Sequence, residues 1–156
     1  MDFTSTQSQN ITDEVFHSGD FFPDIHARDY QQSMLTDGKV TPERLRHAIT
    51  NAIIEINREL ANWRQTQITN GYISMDKVPT DFINDDSELV LLYRRAVYSQ
   101  TKANLTERYR DVDTTNSGEK KAEGLGTTID ELWRDVQWAI QRIKGQSHNI
   151  VELIWK

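Results

Sequence analysis

Apolar residues recur at steps of three and four over three stretches of the chain, which is the spacing of one face of an α-helix. The clearest helix is expected to begin after Thr41, a favoured N-cap residue, with Pro42 at its first position. Gly71 is expected to end it. Its apolar stripe consists of Leu45, Ala48, Ile49, Ala52, Ile53, Ile56, Leu60 and Trp63.

A second stripe predicts a helix from near Ser87 to about Val112. Asp85 is expected in the capping role, and Glu88 completes a capping box with it. The turn-forming residues 113–118 then predict a break in the chain.

A third stripe predicts the last helix, which ends at Gly145. Two glycines, Gly124 and Gly126, each cost about 1 kcal/mol relative to alanine inside a helix, so the expected start lies between residues 122 and 128. A short helix is also expected over residues 24–35, after Pro23.

These elements predict an all-α fold, an antiparallel bundle of about four helices. Residues 1–20 are polar and are expected to form a flexible N-terminal arm. Residues 21–145 form the helical domain. Residues 146–156 are expected to form an extended, apolar C-terminal docking tail.

Composition limits the possible functions. The 156 residues suit one domain, and the absence of cysteine excludes disulfides, thiolate zinc sites and a cysteine nucleophile. No apolar run approaches the roughly 20 residues of a membrane helix, so no membrane partner is expected. The net charge of −6 weighs against a protein that binds DNA phosphates tightly.

Candidate chemical groups are few. Glu107, Asp111 and Asp113 could form a carboxylate pair, but nearby arginines favour ion pairing on a helix surface. The four histidines (His17, His26, His47 and His148) are scattered and lack zinc-helix spacing. The acidic run of Asp81, Asp85 and Asp86 lacks the glycine and closing glutamate of a calcium loop. We therefore expect no catalytic residue, no metal site and no cofactor.

The helix expected over residues 87–112 carries charge along its length. Arg94 and Arg95 point about 100° apart, so at least one of them meets a neighbouring helix or another subunit. The candidate subunit-interface residues on this helix are Arg94, Arg95, Glu107, Arg108, Arg110 and Asp111.

The C-terminal tail is unusually apolar. Left bare, its large side chains would favour aggregation, so they are expected to dock on the protein's own core or on a partner. The candidate docking residues are Ile150, Val151, Leu153, Ile154 and Trp155.

An ordered series of segments resembles the GPL-type head completion proteins of tailed bacteriophages. The longer segments are LRHAI (45–49), NRELANW (57–63), YRRAVY (93–98) and LTERYRD (105–111), joined by Gly71-Tyr72 and Val78-Pro79. Three further segments, DTT (113–115), WAI (138–140) and VELI (151–154), extend the resemblance over roughly residues 17–154.

The resemblance implies a protein of the virion's head–tail neck, made in the host bacterial cytoplasm, with no catalytic residues. Such a protein binds the portal protein after DNA packaging, helps to retain the genome and receives tail-completion or neck proteins. Similar adaptors form a ring of about a dozen copies, and a ring requires two different faces that meet head to tail. Packaged DNA would pass through its lumen without specific binding.

Other functions stay open at this point. A generic helical interaction module without a role in the virion is the main alternative. A regulatory or nucleic-acid-binding module would need a basic face, and a small enzyme would need acidic residues that converge on a pocket.

Overall fold

The computed structural model describes residues 14–34, 40–110 and 118–145. It confirms the prediction of a mainly helical chain. The stricter prediction, an all-α bundle of about four helices, is not confirmed, because the described residues contain five α-helices and two small β-hairpins. The helices are α1 (Ala27–Met34), α2 (Pro42–Glu59), α3 (Ala61–Thr69), α4 (Glu88–Arg110) and α5 (Gly118–Ile143). The strands are β1 (Val15–Phe16), β2 (Ile25–His26), β3 (Phe82–Ile83) and β4 (Asp86–Ser87), and Met75–Lys77 form a 3₁₀ turn.

Helix α2 begins as predicted. The Oγ1 atom of Thr41 accepts a hydrogen bond from the backbone N–H of Arg44 at 3.3 Å, and Pro42 follows at the first helical position. The predicted continuous helix to Gly71 is wrong. The backbone departs from α-helical geometry at Leu60 (φ −96°, ψ 5°), and a separate helix, α3, follows. Helix α3 contains no fully buried residue, although Trp63, the last residue of the predicted stripe, is partly buried and packs against the core.

Gly71 ends α3 as predicted. Its φ of +98° is a left-handed conformation that glycine adopts at little cost. The N–H of Gly71 donates to the carbonyl of Ile68, and the N–H of Tyr72 donates to that of Gln67, both at 3.0 Å. This pair of bonds is a Schellman motif, which satisfies carbonyls at the end of the helix.

Helix α4 has nearly the predicted bounds, but its N-cap was predicted wrongly. Asn84 and Asp85 both have positive φ (51° and 66°) and form the two-residue turn between β3 and β4. Tight hairpin turns favour asparagine and aspartate at such positions. Asp85 is therefore a turn residue, and the hydroxyl of Ser87 accepts the N–H of Val90 at 3.5 Å in its place.

Helix α5 begins at Gly118, earlier than the expected range of residues 122–128. It ends at Ile143, and Gly145 follows with a φ of +69°, so the prediction of a glycine stop is confirmed. The break predicted over residues 113–118 and the docking tail over residues 146–156 fall mainly or wholly outside the described residues.

The segment before α1 is paired rather than helical. Strands β1 and β2 are antiparallel, with Val15 opposite His26, so α1 begins at Ala27 and not near residue 24. The N–H of Ala27 donates to the carbonyl of Glu14 at 3.0 Å. The folded part therefore extends upstream of residue 21, the boundary expected from composition. Residues 1–13 of the expected arm lie outside the described residues.

Helix α4 is central to the core, because it packs against both α2 and α5. Its buried face meets the predicted stripes of the two neighbouring helices. Phe22, from the segment between β1 and β2, stacks on Tyr93 of α4 with a ring separation of 4.9 Å. Full burial of each large apolar side chain contributes about 1.5–3 kcal/mol, so this interface supplies much of the stability. The fully buried residues include Tyr30, Ile49, Ile56, Leu60, Tyr93, Val97 and Val136.

Three buried tyrosines lie where α4 packs against α1 and α2. The hydroxyl of Tyr93 donates to Oδ1 of Asn57 at 2.6 Å, and that of Tyr98 donates to Oδ2 of Asp29. The Tyr30 hydroxyl is buried with no hydrogen-bond partner among the described residues. Burial raises the pKa of each hydroxyl above its ordinary value of 10.0, and for Tyr98 the hydrogen bond to Asp29 raises the pKa further.

These tyrosines predict a loss of stability in alkali. Above pH 10.0 the unfolded chain releases tyrosine protons that the folded protein retains, so the free energy of unfolding falls as pH rises. With three such groups the expected slope approaches about 4 kcal/mol per pH unit. Tyr30→Phe should remove about a third of that slope and cost little at neutral pH, because its hydroxyl has no partner to lose. Denaturant unfolding of the wild type and of Tyr30→Phe above pH 10.0 measures this difference. Equal slopes of unfolding free energy against pH would contradict the conclusion that Tyr30 retains its proton in the folded protein.

Candidate interaction surfaces

The two arginines of α4 diverge, as the helical geometry predicted. Arg95 lies toward α5, where a guanidinium nitrogen is 3.2 Å from Oδ1 of Asp135. Arg94 lies on a different side, where it lines a pocket beside the β3–β4 hairpin. One helix thus supplies cations to two separate surfaces.

Arg95 is engaged within the chain. Besides its ion pair with Asp135, its guanidinium lies 4.7 Å from the ring centre of Trp138. Arg142 lies 5.4 Å from the same ring and 3.6 Å from a carboxylate oxygen of Glu88. A cation–π contact at an exposed site contributes about 0.5–1 kcal/mol and an exposed ion pair about 0.2–1 kcal/mol, so this cluster helps to hold α5 on α4. Of the two options for the arginine pair, the neighbouring helix therefore applies to Arg95.

A wide groove of about 730 Å³ crosses α2, α4 and α5, and we call it the central groove. Its charged residues are Glu55, Glu59, Glu107 and Arg108, so it is acidic overall. Oε1 of Glu107 accepts a hydrogen bond from Nε1 of Trp133 at 2.9 Å, which joins the two walls of the groove. The other lining residues are Ala48, Asn51, Gln100, Asn104, Val136, Gln137 and Ile140.

A second pocket, of about 630 Å³, lies between the segment after β1 and the β3–β4 hairpin. We call it the acidic pocket. Its cations are Lys77 and Arg94, and the Nε atom of Arg94 is buried with no hydrogen-bond partner among the described residues. The acidic residues around it outnumber these cations. They are Asp20, Asp24, Asp76, Asp85 and Asp86.

The β3–β4 hairpin presents apolar side chains to solvent. Phe82 is 62% exposed and Ile83 is 51% exposed, and Phe82 also reaches the rim of the acidic pocket. Exposed apolar residues are ordinary when they occur singly, whereas Phe82 and Ile83 are adjacent on β3, so we consider the hairpin a candidate contact surface. Helical periodicity does not predict this hairpin. The local signal for it is Asn84-Asp85, a two-residue turn between strand-forming residues.

The predicted interface residues do not form one cluster. Glu107 and Arg108 lie together in the central groove, whereas Arg94 and Arg95 lie on two other surfaces. Arg110 is the last residue of α4. Asp111 and the tail candidates Ile150, Val151, Leu153, Ile154 and Trp155 lie outside the described residues. Helical periodicity alone did not identify the partners across the groove, Glu55, Glu59 and Trp133.

The groups considered for metal binding or catalysis are separated in the structure. Nδ1 of the exposed His17 is 2.9 Å from Oδ1 of Asp24. Across residues 14–34, 40–110 and 118–145, no three side chains of the metal-binding types come together. Glu107 is bonded to Trp133, while Asp111, Asp113 and His148 lie outside the described residues. In the same ranges no helix has the length and apolarity to cross a membrane.

Grooves, an exposed apolar hairpin and paired surface charges are features of a protein that binds other proteins. The comparison with known proteins defines the class: the model of the phage head completion protein (GPL) family matches residues 16–154. The chain belongs to this family, which is a family of structural phage proteins and not of enzymes. The resemblance noted from the sequence segments is thereby confirmed.

Two relatives give the particular setting. The chain is 43% identical to the head completion/stabilization protein of Escherichia phage P2 over 134 residues, which cover 86% of this chain and 79% of that protein. It is 23% identical to the probable head completion/stabilization protein of Haemophilus phage HP1 (strain HP1c1) over 150 residues, 95% of this chain and 97% of that one. No solved structure matches. Membership of the family implies a virion-associated protein that interacts with components of the phage head.

Proposed function

We propose that this protein completes the phage head by binding the portal protein at the vertex after DNA packaging. Neighbouring copies assemble there as a ring, which helps to retain the genome and receives tail-completion or neck proteins. The observation that supports this proposal best is the separation of the central groove from the acidic pocket and the hairpin that borders it. A ring subunit at a vertex needs distinct faces for its two neighbours and for the proteins above and below it.

The charge of the chain is consistent with a lumen through which DNA passes. Contacts between cationic side chains and phosphates make DNA binding strong and nonspecific. Here the net charge is −6, and both surface depressions carry more carboxylates than cations. Such surfaces repel phosphates, so packaged DNA can move past them without being held.

Individual residues have different proposed roles. Glu107 and Arg108 contact a neighbouring copy through the central groove, and we assign Arg110 and Asp111, which follow them in the sequence, to the same contact. Arg94 supplies a cation to a second face, whereas Arg95 acts indirectly by holding α5 in position. The apolar tail docks on the portal through Ile150, Val151, Leu153, Ile154 and Trp155.

The experiment that tests this function uses DNA-filled heads prepared without the protein. Purified protein is added, and electron microscopy counts the copies at each vertex. The proposal predicts symmetric density at the portal vertex and reduced leakage of DNA. Density on other parts of the shell, or heads that retain DNA equally well without the protein, would refute it.

A charge reversal in the central groove tests the contact between copies. Arg108→Glu leaves four carboxylates and no cation in the groove. It should weaken assembly at the vertex by about tenfold or more, because the groove then presents only negative charge to a neighbouring copy that is itself acidic. The fold should survive, since Arg108 is exposed. Arg134→Glu is the matched control, because Arg134 is exposed on α5 and is not part of the groove lining. Equal assembly of the two variants would exclude the groove as a contact between copies.

A further inference from the structure

The β3–β4 hairpin stands away from the helical body at its tip. Successive residues of a strand point to opposite faces, yet Phe82 and Ile83 are both exposed. Neither face of β3 is therefore covered by the described part of the chain. Ile73, in the loop after α3, is 78% exposed, and its neighbour Ser74 lines the same pocket as Phe82. The hairpin and this loop together present apolar groups to solvent.

The base of the hairpin is firmly held. Ser87, on the strand opposite Phe82, is buried and caps α4, and the N–H of Glu88 donates to the carbonyl of Asp81 at 3.0 Å. The turn at Asn84 and Asp85 has the positive φ values of a tight hairpin. A rigid element loses little conformational entropy on binding, so this hairpin is pre-organised for contact with a partner.

The negative charge around the hairpin indicates the kind of partner that it would bind. Asp81, Asp85 and Asp86 flank the apolar pair, and the adjoining acidic pocket adds further carboxylates. A second copy of this chain offers a poor receptor, because its central groove is also acidic. A receptor with lysine or arginine around an apolar depression would complement both the shape and the charge of the hairpin.

We propose that the β3–β4 hairpin docks Phe82 and Ile83 into an apolar pocket, edged by Lys or Arg, on another protein of the phage head. The choice of a head protein rests on the proposed function. The assignment to the hairpin rests on its exposure, rigidity and charge. It adds apolar contacts that come from the hairpin itself and not from the tail.

The first test replaces the apolar groups. Binding of labelled protein to DNA-filled heads that lack it is measured for the wild type, for the Phe82→Ser, Ile83→Ser double variant and for Ile54→Ser. Ile54 is a matched control, because it is 49% exposed on α2, away from the hairpin. The double variant should bind at least about tenfold more weakly, as expected when buried anchor residues are removed. The control should bind like the wild type, and all three proteins should unfold at similar temperatures.

The second test removes the charge. Asp85→Asn suits the positive φ at this position, because asparagine tolerates that conformation, and Asp86→Asn removes a second carboxylate. The double amide variant should bind more weakly than the wild type and with a shallower dependence on salt.

The outcomes are distinguishable. If wild-type protein binds heads and the Phe82→Ser, Ile83→Ser variant binds equally well, the hairpin proposal is overturned while the proposed function stands. If the wild type does not bind heads at all, the proposed function fails, and the hairpin proposal, which requires a head protein as its partner, fails with it. Sedimentation of the free protein supplies a third outcome: self-association that depends on Phe82 and Ile83 would identify a second copy as the occupant and overturn the proposal.

Discussion

Phe22→Ala should destabilise the protein by about 3–5 kcal/mol, which is a large fraction of the stability of a domain of this size. Phe22 is only 4% exposed, and its ring stacks on Tyr93 of α4. It also meets Phe21 edge-on, with ring centres 5.2 Å apart. Truncation would leave a cavity between the N-terminal segment and α4, and the closely packed neighbours could fill it only in part.

Phe82→Ala is the matched control, because it removes the same atoms from a ring that is 62% exposed. Its effect on unfolding should stay within about 0.5 kcal/mol. Urea unfolding followed by circular dichroism compares the wild type, Phe22→Ala and Phe82→Ala. Similar losses for both variants would show that the segment between β1 and β2 does not contribute to the core as the stacking of Phe22 on Tyr93 indicates. For Phe82→Ala the hairpin proposal also predicts weaker binding to heads with unchanged stability, so this variant separates docking from folding.

Leu153→Asp with Ile154→Asp should abolish binding to the vertex, with at least about a hundredfold loss of affinity. In the proposed function these side chains dock in an apolar site on the portal protein. A carboxylate buried there without a partner is strongly unfavourable. Binding of the variant to DNA-filled heads is compared with that of Glu152→Gln, which changes a neighbouring polar residue and keeps the apolar groups. Removal of residues 146–156 should reproduce the loss.

Two results would contradict this role for the tail. Unchanged binding of the Leu153→Asp, Ile154→Asp variant would exclude an apolar contact between tail and portal. A fall in unfolding temperature that accounts for the lost binding would show that the tail covers the protein's own core, which was the other option considered from the sequence. Measuring unfolding and binding on the same samples separates the two.

The proposed function and the hairpin proposal predict different patterns across these variants. Arg108→Glu is expected to weaken contacts between copies, the tail variant to weaken attachment to the portal, and the Phe82→Ser, Ile83→Ser variant to weaken a further head contact. The substitutions at Arg108 and Phe82 leave the buried interface of α4 intact, since both residues are exposed. Loss of binding in each variant, without loss of fold, would support several separate docking surfaces on one small protein.

Local patterns in the sequence were sufficient to predict features that depend on neighbouring residues. Thr41 and Pro42 mark the start of α2, because an N-cap hydroxyl and a fixed φ act within a single turn of helix. Gly71 and Gly145 mark helix ends, because each adopts a left-handed conformation that other residues avoid. Helix α4 was predicted to begin near Ser87 from an Asp85–Glu88 capping box, and it begins at Glu88, although Ser87 and not Asp85 is the cap.

Only the tertiary structure decided the features that depend on residues distant in the chain. The helix break at Leu60, the pairing of β1 with β2 and the contact of Arg95 with α5 each require a partner that no local pattern identifies. The central groove likewise exists because α2, α4 and α5 converge. By itself the sequence determined that the chain is mainly helical, where α2 begins and where α3 and α5 end, because those preferences are local. The tertiary structure determined which charged and apolar groups are used internally and which stay exposed for partners, because that depends on long-range packing.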